Sequence, residues 1–418
     1  MLTKKYDRPL RGLSTMIDLE WLLEAHRQTR KGGAVGVDGV SSEAYAADLE
    51  GTLEDLLVRM KNRTYKAPVI RRVEIPKPGG GTRPLGITTF EDKVAQRAVK
   101  MTLEPMYEQK FYDFSYGFRP GRSAQDALEH VRRAIGDGTR WVLDVDVQKF
   151  FDTIDRQTLK ELLEKQVNDR GITHLVGKWL RQGVLSDGVV VHAEQGTPQG
   201  GVLSPLLANI YLHYVLDEWW SQTVLSHLEG HGELIRYADD FVMVFTHETD
   251  ARRVLRVLPQ RFEKYGLTVH PEKTRLVHLR PLEGGGRSDT FEFLGFTHYL
   301  GANRKGGRLR LQRKTASKRL SRSLRNVKDW VQRHKHADTR WQLAELNRKL
   351  LGYYAYYGLP DNYRQLSAFR EGLTARWRRA LTRRSQKAYV PWKWFGRIAR
   401  QLARPRTRRS RQLQLMNP

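Results

Sequence analysis

Two adjacent carboxylates stand between two apolar runs near the middle of this chain. They belong to Asp239 and Asp240, and the runs cover residues 233–237 and 241–245. Short apolar runs on both sides of a turn-forming pair predict a β-hairpin, here with both acids at its tip. Asp is also a favoured turn residue, so this tetrapeptide alone is compatible with an ordinary turn. A fold for this chain must in either case carry two acids at the end of one hairpin.

A second acidic strand precedes this hairpin. Alternation places Val142, Asp144 and Asp146 on one face of a predicted strand. The other face would carry Trp141, Leu143, Val145 and Val147. Two acids on one face of an apolar strand are costly unless a cation or a partner compensates them. Mg²⁺, which prefers hard oxygen ligands and takes few of them from the protein, is one cation that would compensate such acids.

A third motif, residues 195–205 with the sequence Gln-Gly-Thr-Pro-Gln-Gly-Gly-Val-Leu-Ser-Pro, lies between the two acidic segments. Together the three resemble motifs A, B and C of a reverse transcriptase palm, specifically one encoded by a group II intron. The resemblance runs from about Val37 to the end of the chain. It implies catalytic roles for Asp146, Asp239 and Asp240. Asp146, Val147 and Asp239 would hold two Mg²⁺ ions, which activate the primer 3′-hydroxyl and neutralise the leaving pyrophosphate.

Alternation alone does not separate Asp144 from Asp146. The resemblance selects Asp146, because Phe150 and Phe151 follow it at the spacing typical of the family. It also implies that Phe151 lies beneath the incoming sugar and excludes a ribose 2′-hydroxyl, while Phe150 belongs to the core. Asp144 is then a supporting residue.

The fingers are predicted upstream of the palm. Residues 71–86 form two short strands around a glycine turn flanked by Lys77 and Arg83. A Gly-rich turn alone is weak evidence for phosphate binding. The family resemblance implies that both cations contact the triphosphate. Arg119 and Arg122 follow in a segment typical of the family, and they either hold template phosphates or brace the fingers.

Three more positions take their predicted roles from the resemblance. Gln199 in motif B would contact the nucleotide or template, and Lys273 would assist the leaving pyrophosphate as a general acid. Gly295 in the primer-grip hairpin would let the backbone approach the primer.

The net positive charge is confined to the last part of the chain. Residues 301–418 contain 32 Lys and Arg against 5 Asp and Glu, a net of +27 that equals the net charge of all 418 residues. Such an asymmetry indicates polyanion binding through counterion release. A membrane surface is the weaker alternative, since no lipid anchor is evident and the apolar stripes are needed for packing.

Those stripes predict three helices. The first carries Leu320, Leu324, Val327 and Val331, with cations on its other faces. A second stripe includes Trp341, Leu343, Leu346 and Leu350, and a third begins at Asp361 and includes Tyr363, Leu366 and Phe369. The bundle resembles the thumb, or maturase domain, of group II intron proteins. Arg319, Arg322 and Arg325 are its candidate RNA contacts.

Composition excludes several classes of protein. The chain has no cysteine, which removes disulfides, thiol catalysis and Cys-type zinc sites. We find no signal peptide or membrane span and expect a cytoplasmic protein without a membrane partner. The tail from Lys387 is either a short DNA-binding extension or a disordered basic arm. No His-Asn-His endonuclease module is recognisable, so the resemblance is to the short form of these proteins.

The sequence thus predicts an α/β (α+β) right-hand polymerase fold, with fingers and palm on an antiparallel sheet followed by an α-helical thumb. We divide it into residues 1–70 (extra fingers segment), 71–300 (fingers and palm), 301–386 (thumb) and 387–418 (tail). The predicted function is RNA-directed DNA synthesis from dNTPs on an RNA template with a DNA primer or target, plus maturase binding of a group II intron RNA. Alternatives are a repurposed relative, such as a retron, diversity-generating, CRISPR-associated or DNA-repair enzyme, an RNA-dependent RNA polymerase, and a binding-only splicing factor.

Overall fold

The computed structural model describes residues 9–76, 81–136, 139–186, 189–191, 200–280, 289–302, 309–385 and 389–407. The chain forms two compact units. The first comprises Met1–Arg122, Val145–Phe241 and Thr249–Arg275, and the second comprises Ser123–Asp144, Val242–Glu248 and Leu276–Pro418. The four segments predicted from the sequence have different boundaries and remain predictions.

Helices make up most of the regular structure in both units. They are α1 (Leu19–Gln28), α2 (Ser42–Tyr45), α3 (Leu49–Lys61), α4 (Phe90–Glu108), α5 (Ala124–Ala134), α6 (Phe150–Thr153), α7 (Arg156–Glu164), α8 (Arg170–Leu180), α9 (Ser204–Leu212), α10 (Glu248–Glu263), α11 (Ser317–Arg333), α12 (Thr339–Tyr357), α13 (Tyr363–Thr382) and α14 (Trp392–Ala399). Several begin where a side chain caps the first turn: Asp18, Thr89, Asp155 and Asp169 each accept a hydrogen bond from a backbone N–H.

The described strands form three sheets. The strands are β1 (Ile70–Pro76), β2 (Thr82–Ile87), β3 (Trp141–Val145), β4 (Val184–Ser186), β5 (Val189–Val191), β6 (Gly232–Tyr237), β7 (Asp240–Phe245), β8 (Arg275–His278), β9 (Phe291–Phe293), β10 (Phe296–Ala302) and β11 (Leu309–Thr315). Their orders are β2-β1-β4-β5, β6-β7-β3-β8 and β11-β10-β9. The predicted α/β fold with antiparallel pairing is confirmed, although β1 pairs with β4 in parallel.

Both faces of the predicted acidic strand, β3, are covered. Val142 and Leu143, which should lie on opposite faces of β3, are both fully buried, and so is Val145. β3 is an inner strand of its sheet, between β7 and β8, and its apolar side chains are buried on both faces. Asp146 lies outside this pattern because it follows the last residue of the strand.

Helix α9 follows motif B, and the chain continues beyond it in wide π-type turns. These turns cover His213–Asp217 and Trp220–Val224. Their inner side is buried, and Asp217 within them is fully buried. A helix with wide turns often marks a functional position, because the extra residue redirects side chains.

In the second unit, α11, α12 and α13 pack around one apolar core. The stripe of Leu320, Leu324, Val327 and Val331 contributes to this core as predicted. Trp341 and Tyr363, which the sequence placed in the same stripes, are instead exposed, at 43% and 53% of their surfaces. The third helix begins at Tyr363 rather than at Asp361, since Pro360–Asn362 form a separate short turn.

The described part of the tail is folded against these helices. Phe395 of α14 is fully buried and lies 5.4 Å, ring centroid to centroid, from Trp377 of α13. Arg370 donates hydrogen bonds to the carbonyls of Ala399 and Ala403, each at 3.2 Å. A disordered basic arm is therefore wrong for residues 389–407, whereas residues 408–418 lie outside the described part of the chain.

Among the described residues, no helix is both long enough and apolar enough to cross a membrane.

Candidate active site

Asp146 projects from the end of β3 into a short connection that the neighbouring segment holds in place. Its carbonyl accepts a hydrogen bond of 2.7 Å from the N–H of His270, and the N–H of Gln148 donates to Thr268 at 2.8 Å. These two bonds flank an antiparallel bridge between Val147 and Val269. The acceptors in this bridge are the carbonyls of Asp146 and Thr268, so the Val147 carbonyl does not take part in its hydrogen bonds.

The predicted acidic hairpin is present as β6 and β7, and its tip consists of Ala238 and Asp239. Ala238 has a φ of 57°, a left-handed conformation that is unusual for a residue other than glycine. Asp239 is half-buried, and Asp240 is the first residue of β7.

The carboxylate of Asp146 is close enough to Asp239 to affect its pKa. Burial raises the pKa of Asp239, and the negative charge of Asp146 raises this pKa further, whereas the Arg236 guanidinium acts in the opposite direction. A bound cation would stabilise both carboxylates in their charged form. The site is therefore built to receive positive charge.

Lys273 supplies one such charge. Its Nζ lies 3.1 Å from Oδ2 of Asp146, and both side chains are substantially exposed. The predicted general acid thus contacts the candidate metal ligand directly. Its proposed action on pyrophosphate remains a prediction.

The two phenylalanines after Asp146 differ in burial, as the sequence analysis expected. Phe150 is 2% exposed and belongs to the core, whereas Phe151 is half-buried on the same short helix α6. Their ring centroids are 5.3 Å apart, with the rings nearly perpendicular. Phe151 is thus the ring that can meet a ligand.

Of the two interpretations of Arg119, the structure favours bracing over phosphate binding. Its side chain is 3% exposed and pairs with Glu108 at 2.9 Å. It also donates to the carbonyls of Tyr112 and Ser115, both at 2.7 Å. A guanidinium with its donors used in this way has no surface to offer to RNA. Arg122 is more exposed, pairs with Asp113 at 2.6 Å, and remains a candidate for template contact.

The residues predicted to contact the triphosphate are only partly described. Lys77 and Gln199 lie outside the described residues, and Arg83 is described by its backbone, opposite Ile75 in the β1–β2 hairpin. Motif B does contact this hairpin through Gly200, where an added Cβ would lie 2.2 Å from the carbonyl of Gly86. The glycine therefore permits a close approach of the two backbones.

In the second unit, Gly295 forms the tip of the β9–β10 hairpin. Its φ is 78°, and a Cβ at this position would lie 3.3 Å from the Tyr357 hydroxyl. Tyr356 donates a hydrogen bond of 3.0 Å to the neighbouring Leu294 carbonyl. The helix α12 therefore holds this tip, while a primer contact by Gly295 remains a prediction. On α11, Arg319 and Arg325 are exposed and Arg322 is half-buried.

The donor set fits a hard divalent ion. It comprises the carboxylates of Asp146 and Asp239 and the carbonyl of Val147, all oxygen ligands of the kind Mg²⁺ prefers. Within the described ranges, no three or more His, Asp or Glu side chains group as a metal site by themselves. Few protein ligands are expected where substrate phosphates complete the coordination.

Comparison with known families identifies the class. The family described as "Reverse transcriptase (RNA-dependent DNA polymerase)" matches residues 75–298. This range includes Asp146 at the end of β3 and the β6–β7 hairpin with Asp239 at its tip. The chain belongs to this family, and the predicted RNA-directed DNA polymerase is confirmed. Enzymes of this family use divalent metal ions and act on nucleic acids.

Proteins similar to this chain place it, within the reverse transcriptase family, among the proteins of group II introns. The chain is similar to "Protein YkfC" of Escherichia coli K12, 33% identical over 316 residues, 66% of this chain and 79% of that protein. It is similar to "Group II intron-encoded protein LtrA" of Lactococcus lactis, 34% identical over 269 residues, 64% of this chain and 40% of that protein. A shorter match, 33% over 92 residues (22% of this chain, 13% of that protein), is to "Nuclear intron maturase 1, mitochondrial" of Arabidopsis thaliana.

These relatives confirm the resemblance to group II intron reverse transcriptases and maturases. They do not favour the alternatives of a repurposed enzyme, an RNA polymerase or a binding-only factor. The aligned region spans about two fifths of LtrA, so the activities of that whole protein are not carried over here.

Proposed function

We propose that the chain extends a DNA primer with dNTPs on an RNA template, using two Mg²⁺ ions held by Asp146, Asp239 and the carbonyl of Val147. The observation that carries this proposal is the placement of Asp239 at the tip of the β6–β7 hairpin, close enough to Asp146 at the end of β3 for the Asp146 charge to raise the pKa of Asp239. When bound, the ions supply activation of the 3′-hydroxyl and neutralise charge on the phosphates. The protein's part is to hold the ligands in a fixed arrangement.

The side chains around this pair orient the incoming dNTP. Phe151 presents the only half-exposed ring of the Phe150–Phe151 pair to the sugar. Lys273 lies beside Asp146 and delivers positive charge, and a proton, near the phosphates. Lys77 and Arg83 on the fingers hairpin hold the triphosphate, and Gln199 in motif B contacts the base pair.

The second proposed activity is binding of a group II intron RNA as a maturase. Two relatives carry the words "intron-encoded" and "intron maturase" in their names. Arg319, Arg322 and Arg325 on α11 offer cations to RNA phosphates, which supply most of the affinity in such complexes. Binding energy given to the folded intron shifts its equilibrium toward the splicing-competent state.

We infer that the folded tail also contacts DNA. Tyr389, Trp392 and Trp394 are exposed, and the guanidinium of Arg378 lies 3.8 Å from the centroid of the Trp392 ring. Residues 372–418 contain no Asp or Glu. Exposed aromatic rings among cations suit stacking and phosphate contacts with a target strand.

One pair of variants separates polymerisation from splicing assistance. Asp239→Ala/Asp240→Ala should abolish primer extension yet still promote intron splicing at low Mg²⁺, because the carboxylates do not contribute to RNA affinity. Arg319→Gln/Arg322→Gln/Arg325→Gln should weaken splicing assistance. Splicing gels with a cognate group II intron RNA test both. Loss of splicing in a folded carboxylate double variant would contradict separate activities.

A further inference from the structure

Arg236 is a fully buried cation three residues before Asp239. Its Nε and Nη2 donate to the two carboxylate oxygens of Asp217, at 2.8 and 2.5 Å. Neither side chain has any exposed surface. A buried ion pair of this kind could serve stability alone, but such pairs are weak evidence for stability because desolvation offsets the attraction. The third guanidinium nitrogen of Arg236, Nη1, indicates a second role for this ion pair.

That donor reaches the tip of the catalytic hairpin. Nη1 of Arg236 donates to the carbonyl of Ala238 at 3.1 Å and to Oδ1 of Asn209 at 3.0 Å. Ala238 is the tip residue in the left-handed conformation. A non-glycine residue keeps this conformation only where its surroundings enforce it, and such strain is typical of functional sites.

Gly117 encloses the other side of the tip. An added Cβ on Gly117 would lie 2.3 Å from the backbone nitrogen of Ala238, so no larger residue fits there. The carbonyl of Gly117 accepts a hydrogen bond of 2.7 Å from Nδ2 of Asn209. Asn209 therefore links the two sides, since its amide oxygen accepts from Arg236. The tip therefore lies between the buried guanidinium of Arg236 and Gly117, and the side-chain amide of Asn209 connects these two groups.

The backbone of the same segment fixes the strand that leads to the tip. The N–H of Tyr116 donates to the carbonyl of Arg236 at 2.8 Å, and the N–H of Arg236 donates to Phe114 at 2.9 Å. Residues 114–117 thus secure both β6 and the tip, which leaves little freedom for the residue that follows Ala238.

We propose that Arg236 is a positioning residue for the polymerase reaction: anchored by Asp217 and Asn209, it fixes the left-handed Ala238 and thereby directs the Asp239 carboxylate toward Asp146. This inference rests on the metal site proposed above. The planar fork of arginine suits the role, because it binds a carboxylate with two donors and keeps a third for the carbonyl. Its positive charge also lowers the pKa of Asp239 against the effect of burial.

The test compares Mg²⁺ binding and stability in the full-length chain. Arg236→Lys keeps the charge but not the fork. We expect about tenfold weaker Mg²⁺ binding by calorimetry, as for other residues that support metal ligands. The rise in Tm with Mg²⁺ and the Mg²⁺ concentration for half-maximal extension should shift in the same direction.

The matched control is a buried arginine in the other compact unit. Arg313 binds Asp361 with two donors at 2.9 and 3.2 Å and is almost as buried. Arg313→Lys should lower Tm without changing Mg²⁺ binding. Wild-type Mg²⁺ binding in Arg236→Lys, or equal weakening in Arg313→Lys, would overturn the proposal.

A second variant decides the matter if Arg236→Lys does not fold. Asn209→Ala leaves no buried charge unpaired but removes the link between Gly117 and Arg236. It should also weaken Mg²⁺ binding, and unchanged binding would overturn the proposal. Absence of any Mg²⁺ response in the wild-type chain would instead refute the proposed metal site, and this inference with it.

Discussion

The Nζ of Lys273 lies 3.1 Å from Oδ2 of Asp146, although the two residues are 127 positions apart in the chain. The segment that carries Lys273 is tied to the end of β3 by the bond from His270 to the Asp146 carbonyl. A cation that moves between a carboxylate and a phosphate can deliver charge without leaving the site.

Replacing Lys273 should therefore affect the chemical step. Lys273→Gln should reduce the rate of nucleotide addition about a hundredfold, which is typical for loss of a general acid. Template affinity should not change. Single-turnover extension measures the rate, and Lys264→Gln, an exposed lysine after α10, is the control. A wild-type rate in Lys273→Gln would remove this residue from the reaction.

Sugar selection should depend on Phe151 and not on Phe150. Phe151→Val opens space at the half-exposed ring and should raise incorporation of ribonucleotides relative to deoxynucleotides. Phe150→Val should mainly destabilise the core, by about 1–3 kcal/mol, because that ring is buried. Competitive extension with both nucleotide types checks this. The opposite pattern would mean that the two rings have exchanged roles.

Salt dependence should reveal the RNA contacts of α11. The triple variant Arg319→Gln/Arg322→Gln/Arg325→Gln should reduce the slope of log affinity against log salt by about 2 for single-stranded RNA. Filter binding at several salt concentrations measures it. The exposed residues Arg252, Arg256 and Lys264 provide a control triple variant with the same charge change. Deleting the chain from Gly301 onward would be a less suitable test of these RNA contacts, because it also removes β11, the partner of β10.

Stability should fall in mild acid because of buried histidines. Burial lowers the pKa of His298 to about 3, with the nearby Arg313 charge acting in the same direction. Since the unfolded chain binds the proton below pH 6.5, stability is present above that pH and is lost toward pH 3. His298→Phe should retain about 2 kcal/mol of the stability that the wild type loses between pH 7 and pH 5.

Urea unfolding at these two pH values checks this prediction. Burial also lowers the pKa of His213 to about 3. This histidine should therefore keep part of the pH dependence of stability in the His298→Phe variant. The exposed His336 serves as the control position. Equal acid sensitivity of His298→Phe and the wild type would show that His298 does not contribute.

Features encoded by local patterns were predictable from the sequence. The hairpin with Asp239 at its tip, the β1–β2 hairpin and the α11 stripe each depend on periodicity and turn residues within a short segment. The burial of both faces of β3 was not predictable from its own sequence, because the elements that pack on the sheet determine it.

Features that depend on distant partners were missed. Arg236 lies in an apolar strand, and its partners Asp217 and Asn209 are 19 and 27 residues away, so nothing local indicates a buried cation. Arg119 could not be assigned from the sequence, since its partner Glu108 lies 11 residues upstream. One signal was available: a charged residue inside an otherwise apolar run implies a buried partner elsewhere.

Primer extension on an RNA template is the most direct test of the two-carboxylate site. Asp146→Asn and Asp239→Asn keep the size of each side chain but remove its charge. With dNTPs and Mg²⁺, each should reduce extension by at least about a thousandfold, since loss of a metal ligand removes the stabilisation that the ion gives. Arg313→Lys should extend the primer normally. Extension at the wild-type rate by either aspartate variant would contradict the account.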